Sequence, residues 1–310
     1  MGSLRYLGDD DVRAALDIGE LADALTTALV ALSNGATSAP PRVAAVATGG
    51  LLGAMPGFVP GLGLGAKLIT LFPGNGRRSL PTHQAVIASF DPDTGSPLAL
   101  LDGTYITAIR TAVTSALAAR ALARHDSLVL AIVGSGVQAQ SHLVAFTELL
   151  TIGETRIAGR SRANAEAVAA MHVEAHAVDT VEYAVRGADI VCCCTDARDP
   201  VVQDDWIADG THLSSVGSGR ELAPPTIERG FVVVESAVAF QPPPAGAVEL
   251  QGRDPATATE LGTILETGVG RPSSDAVTVY KSTGHAVEDI AATSVVVHRA
   301  AALGLGTVLG

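Results

Sequence analysis

The stretch Leu128-Val129-Leu130-Ala131-Ile132-Val133-Gly134-Ser135-Gly136-Val137-Gln138-Ala139 decides the fold. A short apolar run enters a glycine turn, and the residues after the turn open a helix. In a dinucleotide-binding turn, Gly134 permits the tight bend, Gly136 lets the backbone approach a pyrophosphate, and Ala139 lets the helix pack close to its strand. Free N–H groups and the positive end of the helix dipole then hold the phosphates. A simple nucleotide enzyme carries this motif near its amino terminus. Here it stands near residue 134, so another unit is built first.

At 310 residues the chain is long for one core and comfortable for two domains. Hydrophobic residues make up 47% and charged residues 17%, a globular composition that excludes disorder. A formal net charge of −12 gives no basic footprint for nucleic acid or an anionic membrane, and favours a small-molecule partner. No apolar run approaches the ~18 residues needed to cross a bilayer. Met1-Gly2-Ser3-Leu4-Arg5-Tyr6 lacks an apolar signal core, and Tyr6 stands where a myristoylation motif carries Ser or Thr, so a cytoplasmic protein is expected. Cys192, Cys193 and Cys194 match no zinc spacing and read as small buried hydrophobes on a strand. His172, Glu174 and His176 imitate a metal pair, but nothing completes a ligand set; a solvated helix and no metal are expected.

Residues Asp9 to Ser33 carry apolar side chains at helical spacing, with a stop at Asn34-Gly35. From Val43 to Leu100 the pattern changes to β-rich runs, Val43 to Ala47, Gly65 to Leu71, Ala85 to Phe90 and Leu98 to Leu101, with a hairpin turn at Asp91-Pro92-Asp93-Thr94-Gly95. The first hundred residues therefore predict a small α+β unit with an antiparallel sheet. A bridging helix runs from about Ile106 through Arg124. Strands and helices then alternate through Phe231 to Val234, which predicts a parallel, doubly wound sheet. Gln241 to Ala245 is irregular, and a last apolar helix, Val287 to Leu303, is expected to pack back on the first unit. The fold class is α/β: a Rossmann doubly wound domain over residues 116–287, and an α+β substrate and dimerisation domain over 1–115 and 288–310.

The carboxyl end of the second Rossmann strand selects the dinucleotide. It reads Ala158-Gly159-Arg160-Ser161-Arg162, and arginine beside a hydroxyl suits a 2′-phosphate, so NADP(H) is expected over NAD(H). Glu154 precedes the strand and lies at the wrong end of the sheet. The run Gly61-Leu62-Gly63-Leu64-Gly65-Ala66-Lys67 fails as a phosphate loop, since Ala66 precedes the lysine and Leu68 follows it. What remains is a lysine in an apolar run, costly to bury unless an anion meets it. Arg42 and Arg110 are likewise cations in poorly charged surroundings. The three either converge on a carboxylate or are separate surface residues.

The order of motifs from about Pro41 to Asp289 resembles the ornithine cyclodeaminase and mu-crystallin family. The similar segments are Met55-Pro56, Gly65-Ala66-Lys67, Pro81-Thr82-His83, Asp91 to Gly95, Leu101-Asp102-Gly103, Thr107 to Ala112, Gly134 to Ala139, Ala188 to Val191, Val216-Gly217-Ser218 and Lys281-Ser282-Thr283-Gly284-His285-Ala286-Val287-Glu288-Asp289. The resemblance implies a homodimer whose active site lies between a substrate and dimerisation domain and a Rossmann domain. It also implies that Arg42, Lys67 and Arg110 hold a substrate carboxylate, with Thr82 and His83 lining the pocket near the nicotinamide. Thr111, Gly136, Val137, Gln138, Arg160, Ser161, Thr195 and Val216 match dinucleotide-binding positions, and Gly134 and Arg162 join them from the motif itself.

One segment departs from the cyclodeaminases. Those members carry an aspartate as the acid-base group for loss of ammonia, whereas Val216-Gly217-Ser218-Gly219-Arg220-Glu221-Leu222 is shorter and puts Gly219 there. The resemblance is therefore to ketimine and pyrroline-2-carboxylate reductases, with Glu288 and Asp289 expected to cap or solvate the last helix. The expected reaction is NADPH-dependent reduction of the C=N bond of a small, cyclic imino acid, with Lys67 or His83 tuning protonation. The alternatives are reductive amination of an oxo acid as in alanine dehydrogenase, ornithine cyclodeamination, and NADPH-dependent binding of a small molecule without turnover.

Overall fold

A computed structural model describes residues 4–78, 80–217 and 219–309. Ser218 of the Val216 to Leu222 segment, and Met1 to Ser3 of the amino-terminal reading, lie outside the described residues. The chain forms two compact units, Met1–Arg110 with His285–Gly310, and Thr111–Gly284.

The first unit opens with β1 (Leu4–Leu7), α1 (Asp9–Ala15) and α2 (Ile18–Ser33). The single helical run of the sequence is thus two helices. Leu16 and Asp17 leave helical geometry, and the Asp17 side chain caps α2 by accepting from the Glu20 N–H at 2.9 Å. There follow β2 (Val43–Ala47), β3 (Gly50–Val59), β4 (Gly63–Leu71), β5 (His83–Phe90) and β6 (Pro97–Asp102), then α3 (Thr104–Leu122), which carries the chain into the second unit. Strand β3 was not legible because its three glycines and Pro56 read as turns; its pairing with β4 over nine register positions makes it a strand.

In the second unit come β7 (Val129–Val133), α4 (Val137–Leu149), β8 (Glu154–Ala158), α5 (Arg162–Ala169), β9 (Ala175–Ala177), α6 (Val181–Val185), β10 (Ile190–Cys193), β11 (His212–Ser215), α7 (Pro224–Arg229), β12 (Phe231–Val234), β13 (Thr259–Glu260), α8 (Leu261–Thr267) and β14 (Thr278–Lys281). The chain then returns to the first unit as α9 (Ala286–Leu303) and β15 (Thr307–Leu309). His172 to His176 is a turn and an edge strand rather than a solvated helix. Among the described residues no group of His, Cys, Asp or Glu is placed to hold a metal ion, and no helix is long and apolar enough to cross a membrane.

Among the described residues, the first unit's strands form a seven-stranded sheet in the order β15-β1-β6-β5-β4-β3-β2. Every pairing is antiparallel except β1 with β6, so the sheet is mixed where the sequence suggested purely antiparallel. Helix α9 packs across β3, β4 and β5 and against α1 and α2. Strand alternation sends Met55, Lys67 and Ile87 to this helix-covered face, and Leu52, Leu68, Val86 and Leu98 to the other, where they remain exposed.

Two glycines let α9 lie close to the sheet. A Cβ on Gly57 would come within 3.2 Å of the Ala286 Cβ, and one on Gly65 within 2.6 Å of the Ala88 carbonyl oxygen and 3.1 Å of Ile290 Cδ1. Their missing side chains bring the first turn of α9 down to the level of Lys67. Gly65→Ala should therefore overpack this contact and cost about 1–3 kcal/mol of stability. The effect is read as a lower urea midpoint at unchanged m-value.

The second unit's described strands form an eight-stranded sheet in the order β13-β12-β14-β11-β10-β7-β8-β9, every pairing parallel. From β7 the chain proceeds to β8 and β9 on one side and resumes at β10 on the other. That reversal opens a crevice beyond the carboxyl ends of β7 and β10, where doubly wound sheets bind ligands.

Candidate functional site

The glycine turn occupies this reversal. Gly134 has φ +130°, its N–H donates to the Ala158 carbonyl at 2.8 Å, and a Cβ there would stand 2.5 Å from the Cys194 carbonyl oxygen. Only glycine satisfies both the dihedral and the space. A Cβ on Gly159, at the end of β8, would lie 2.7 Å from Ser135 Oγ, so that glycine admits the turn from the other side. Gly136 is the N-cap of α4, no side chain caps it, and a Cβ there would meet nothing within 4 Å. Val137 is exposed and Ala139 is buried against the sheet. The Gln138 Oε1 is buried and accepts no hydrogen bond from the described residues. An uncapped helix end with open space before it fits the pyrophosphate of a dinucleotide.

The arginines after β8 differ in their engagements. Arg162 pairs with Glu166 at 2.8 Å and Asp179 at 2.6 Å, while Ser161 caps α5 by accepting from the Asn164 N–H at 3.3 Å. Arg160 is exposed and forms no ion pair with the described residues. Glu154 is the first residue of β8 rather than a residue before it; it lies at the end of the strand opposite Arg160 and pairs with Arg156 at 2.9 Å.

Beyond β10 and β11, a buried carboxylate organises the loops. Glu221 Oε1 accepts from the Thr195 N–H at 2.6 Å and the Thr195 hydroxyl at 2.7 Å, and its Oε2 accepts from the Ser215 hydroxyl and the Gly217 N–H, both at 2.8 Å. Glu249 accepts from the Glu221 N–H at 2.6 Å and the Leu222 N–H at 2.9 Å, and pairs with Lys281 Nζ at 2.6 Å. Lys281 also donates to Ser215 Oγ and the Gly217 carbonyl, both at 2.8 Å. Thr195 and Val216, the sequence candidates here, thus sit on loops fixed by Glu221, Glu249 and Lys281. Cys192 and Cys193 are buried, and burial raises all three thiols well above the usual range, which leaves them inert.

In the first unit, Lys67 and Arg110 do converge, and they meet carboxylates of the protein. Lys67 Nζ donates to Asp289 Oδ1 at 2.7 Å; Arg110 donates to the same oxygen from Nε at 3.1 Å and to Glu288 Oε2 from Nη1 at 3.1 Å. All four side chains are buried, and the Arg42 charge acts on both Lys67 and Asp289. Glu288 caps α9 as the sequence suggested, accepting from the His285 N–H at 2.5 Å. The expectation that it and Asp289 merely cap or solvate the helix is overturned, because burying two cations draws carboxylates inward.

Burial lowers Lys67 to about 8; Asp289 acts to raise it, and Arg110 and Arg42 lower it further. Burial acts to raise Asp289, but Lys67 and Arg110 outweigh it and hold the carboxyl below its usual range. Thr82 Oγ1 lies 3.2 Å from His83 Nδ1, and His83 is exposed. In register, Lys67 faces Ile87 and Leu71 faces His83, so His83 stands four residues along the strands, about 13 Å away at ~3.3 Å per residue. Thr111 is buried beside Arg110 in sequence.

These features define a dinucleotide-binding α/β protein with a second α+β unit that buries a cationic cluster. The chain belongs to the ornithine cyclodeaminase/mu-crystallin family, whose model matches residues 7–303. It is 38% identical over 253 residues to the ketimine reductase mu-crystallin of Mus musculus, covering 80% of each chain. Its fold superposes with a TM-score of 0.91 on the Δ1-pyrroline-2-carboxylate reductase of Thermococcus litoralis in complex with NADH and L-proline, at 30% identity over 98% of this chain and 99% of that one. An archaeal alanine dehydrogenase dimer with bound NAD superposes at 0.90, with 28% identity over 100% and 99% of the two chains.

Glu221 accepts hydrogen bonds only, so Glu221→Gln should set an NH2 group against donors. The expected loss is about 1–3 kcal/mol of stability for the buried donors left unpaired. Weaker dinucleotide binding in a calorimetric titration should accompany it, because the loops that carry Thr195 and Gly217 lose their common anchor.

Proposed function

We propose that the protein is an NADPH-dependent reductase of the C=N bond of a small, cyclic imino acid. The observation that carries this reading is the buried cluster of the first unit. Lys67 and Arg110 converge there with Asp289 and Glu288, and the Arg42 charge acts on the same groups, a concentration of cations of the kind that orients a substrate carboxylate. Arg42, Lys67 and Arg110 orient the substrate through that carboxylate, with Thr82 at the side of the pocket. Lys67 Nζ holds a proton for the imine nitrogen, and its value of about 8 keeps it mostly protonated at neutral pH. His83 lines the pocket and takes no part in that cluster. When bound, the reduced nicotinamide supplies the hydride.

Gly219 favours reduction over cyclodeamination. A Cβ there would overlap the Ala197 carbonyl oxygen, and the next N–H, of Arg220, donates to that same oxygen at 3.0 Å. The loop as folded has no room for the deaminase aspartate. For the dinucleotide, Arg160 supports NADP(H): it is exposed just beyond the carboxyl end of β8, no acidic residue follows that strand directly, and its guanidinium suits a 2′-phosphate. Gly134, Gly136, Val137 and Gln138 take the pyrophosphate, Thr111, Thr195 and Val216 the remainder, and Ser161 and Arg162 follow Arg160 at the 2′-phosphate end.

The test is oxidation of NADPH with pyrroline-2-carboxylate or piperideine-2-carboxylate. Turnover is expected with at least one of them, and without added ammonium. Tight NADPH binding with no imine turned over would leave only the binding-protein alternative; turnover of pyruvate that depends on ammonium would favour the alanine dehydrogenase alternative. Arg160→Ala should raise the KM for NADPH about 10–100-fold and leave that for NADH nearly unchanged, the cost of one charge-assisted hydrogen bond of ~1.5–3 kcal/mol.

A homodimer built on the first unit's sheet completes the reading. Leu68 pairs with Val86 on the face away from α9, and with Leu52 and Leu98 they leave apolar side chains exposed across adjacent strands. Contiguous apolar surface of this kind marks an interface. Light scattering should give twice the chain mass, and Leu68→Lys with Val86→Lys should give a folded monomer; a wild-type monomer would overturn the assignment.

A further inference from the structure

We propose that Asp289 is a positioning residue for the reduction, holding the Lys67 ammonium in place and in its proton-bearing form so that Nζ delivers a proton to the imine nitrogen. The inference rests on the reading that the protein reduces a C=N bond.

The geometry singles out Asp289. Its Oδ1 is shared between Lys67 Nζ at 2.7 Å and Arg110 Nε at 3.1 Å, while its Oδ2 is buried and accepts nothing from the described residues. The carboxylate therefore has one oxygen committed and one in reserve. Arg110 also binds Glu288, which in turn takes the His285 N–H, so the first turn of α9 is tied down without Lys67. Arg110 holds Asp289 Oδ1 independently of Lys67, so the carboxylate keeps a partner when Lys67 gives up its proton. It favours the ammonium before transfer and restores it afterwards.

Among the described residues, Asp289 is the group that acts to keep the proton on Lys67. Around Lys67, β3 and β5 place the uncharged Met55 and Ile87 at the paired positions. Of the charged groups, Arg110 on α3 and Arg42 ahead of β2 disfavour a second positive charge, Glu288 on α9 engages Arg110, and Asp289 opposes both arginines. In the step, the imine carbon accepts the hydride and its electron pair from the reduced nicotinamide. The π pair of C=N moves to nitrogen and takes the proton from Nζ, and Lys67 is left as a neutral amine that regains a proton from solvent.

Lys67 and Lys281 are the chain's two lysines, so lysine labelled with 15N gives one side-chain signal for each, with Lys281 as internal reference. In Asp289→Asn, the Lys67 titration and the alkaline limb of kcat should move together to lower pH. Removing a proton-transfer contribution should also lower kcat by about 10²-fold. NADPH affinity should stay unchanged, and Asp289→Glu should restore part of both effects. A kcat limb that stays at its wild-type pH, while the Lys67 titration moves or not, overturns the proposal. Should Asp289→Asn fail to fold, the wild-type enzyme is compared on an imino acid and its N-methyl iminium, which needs no proton. The limb should vanish with the iminium, and its persistence overturns the proposal. Absence of turnover with every imine and iminium tells against the reductase reading itself, and the inference falls with it, while an unmoved limb in an active enzyme tells against Asp289 alone.

Discussion

Burying Lys67 and Arg110 is the constraint on which the first unit depends. A cation taken out of water costs several kcal/mol unless an anion comes with it, and here two carboxylates do. Both come from the first turn of α9, and they reach the cations because Gly57 and Gly65 let that helix lie against β3 and β4. The packing of α9 and the chemistry of the cluster are thus one arrangement. A helix displaced by a single side chain's thickness would leave two cations uncompensated.

The second unit solves a similar problem with the opposite sign. Glu235 directly follows β12, Glu221 lies in the loop after β11 and Glu249 in a later turn, and each accepts from backbone or hydroxyl donors of loops. Glu235 receives the Tyr280 and Ser282 hydroxyls and the N–H groups of Thr283 and Gly284. The segment Lys281 to Asp289 therefore has a physical account along its length. Lys281 anchors the loops after β10 and β11, Ser282 to Gly284 are held by Glu235, and Glu288 and Asp289 hold the cations of the first unit.

Much of the fold was legible in the sequence. The parallel alternation, the Gly134 turn, the strands Val43–Ala47 and Phe231–Val234 and the final helix follow from residue spacing, which acts locally. Lys67 and Arg110 were legible as cations in apolar surroundings. Lys281, at the end of a four-residue buried strand, and Glu235, after three consecutive valines, carry the same sign. Strand β3 was not legible, since its glycines suggest turns until a neighbouring strand pairs with them.

By itself the sequence determined that a dinucleotide turn follows a separately built α+β unit, because dihedral freedom at Gly134 and the periodicity of side chains are properties of neighbouring residues. Tertiary structure alone decided which anions the buried cations meet. Lys67 and Asp289 lie 222 positions apart, and Arg110 and Glu288 lie 178 apart. No local pattern links residues at that separation. Their pairing follows from the sheet and helix packing that brings them together, and from the cost of leaving any one of them buried alone.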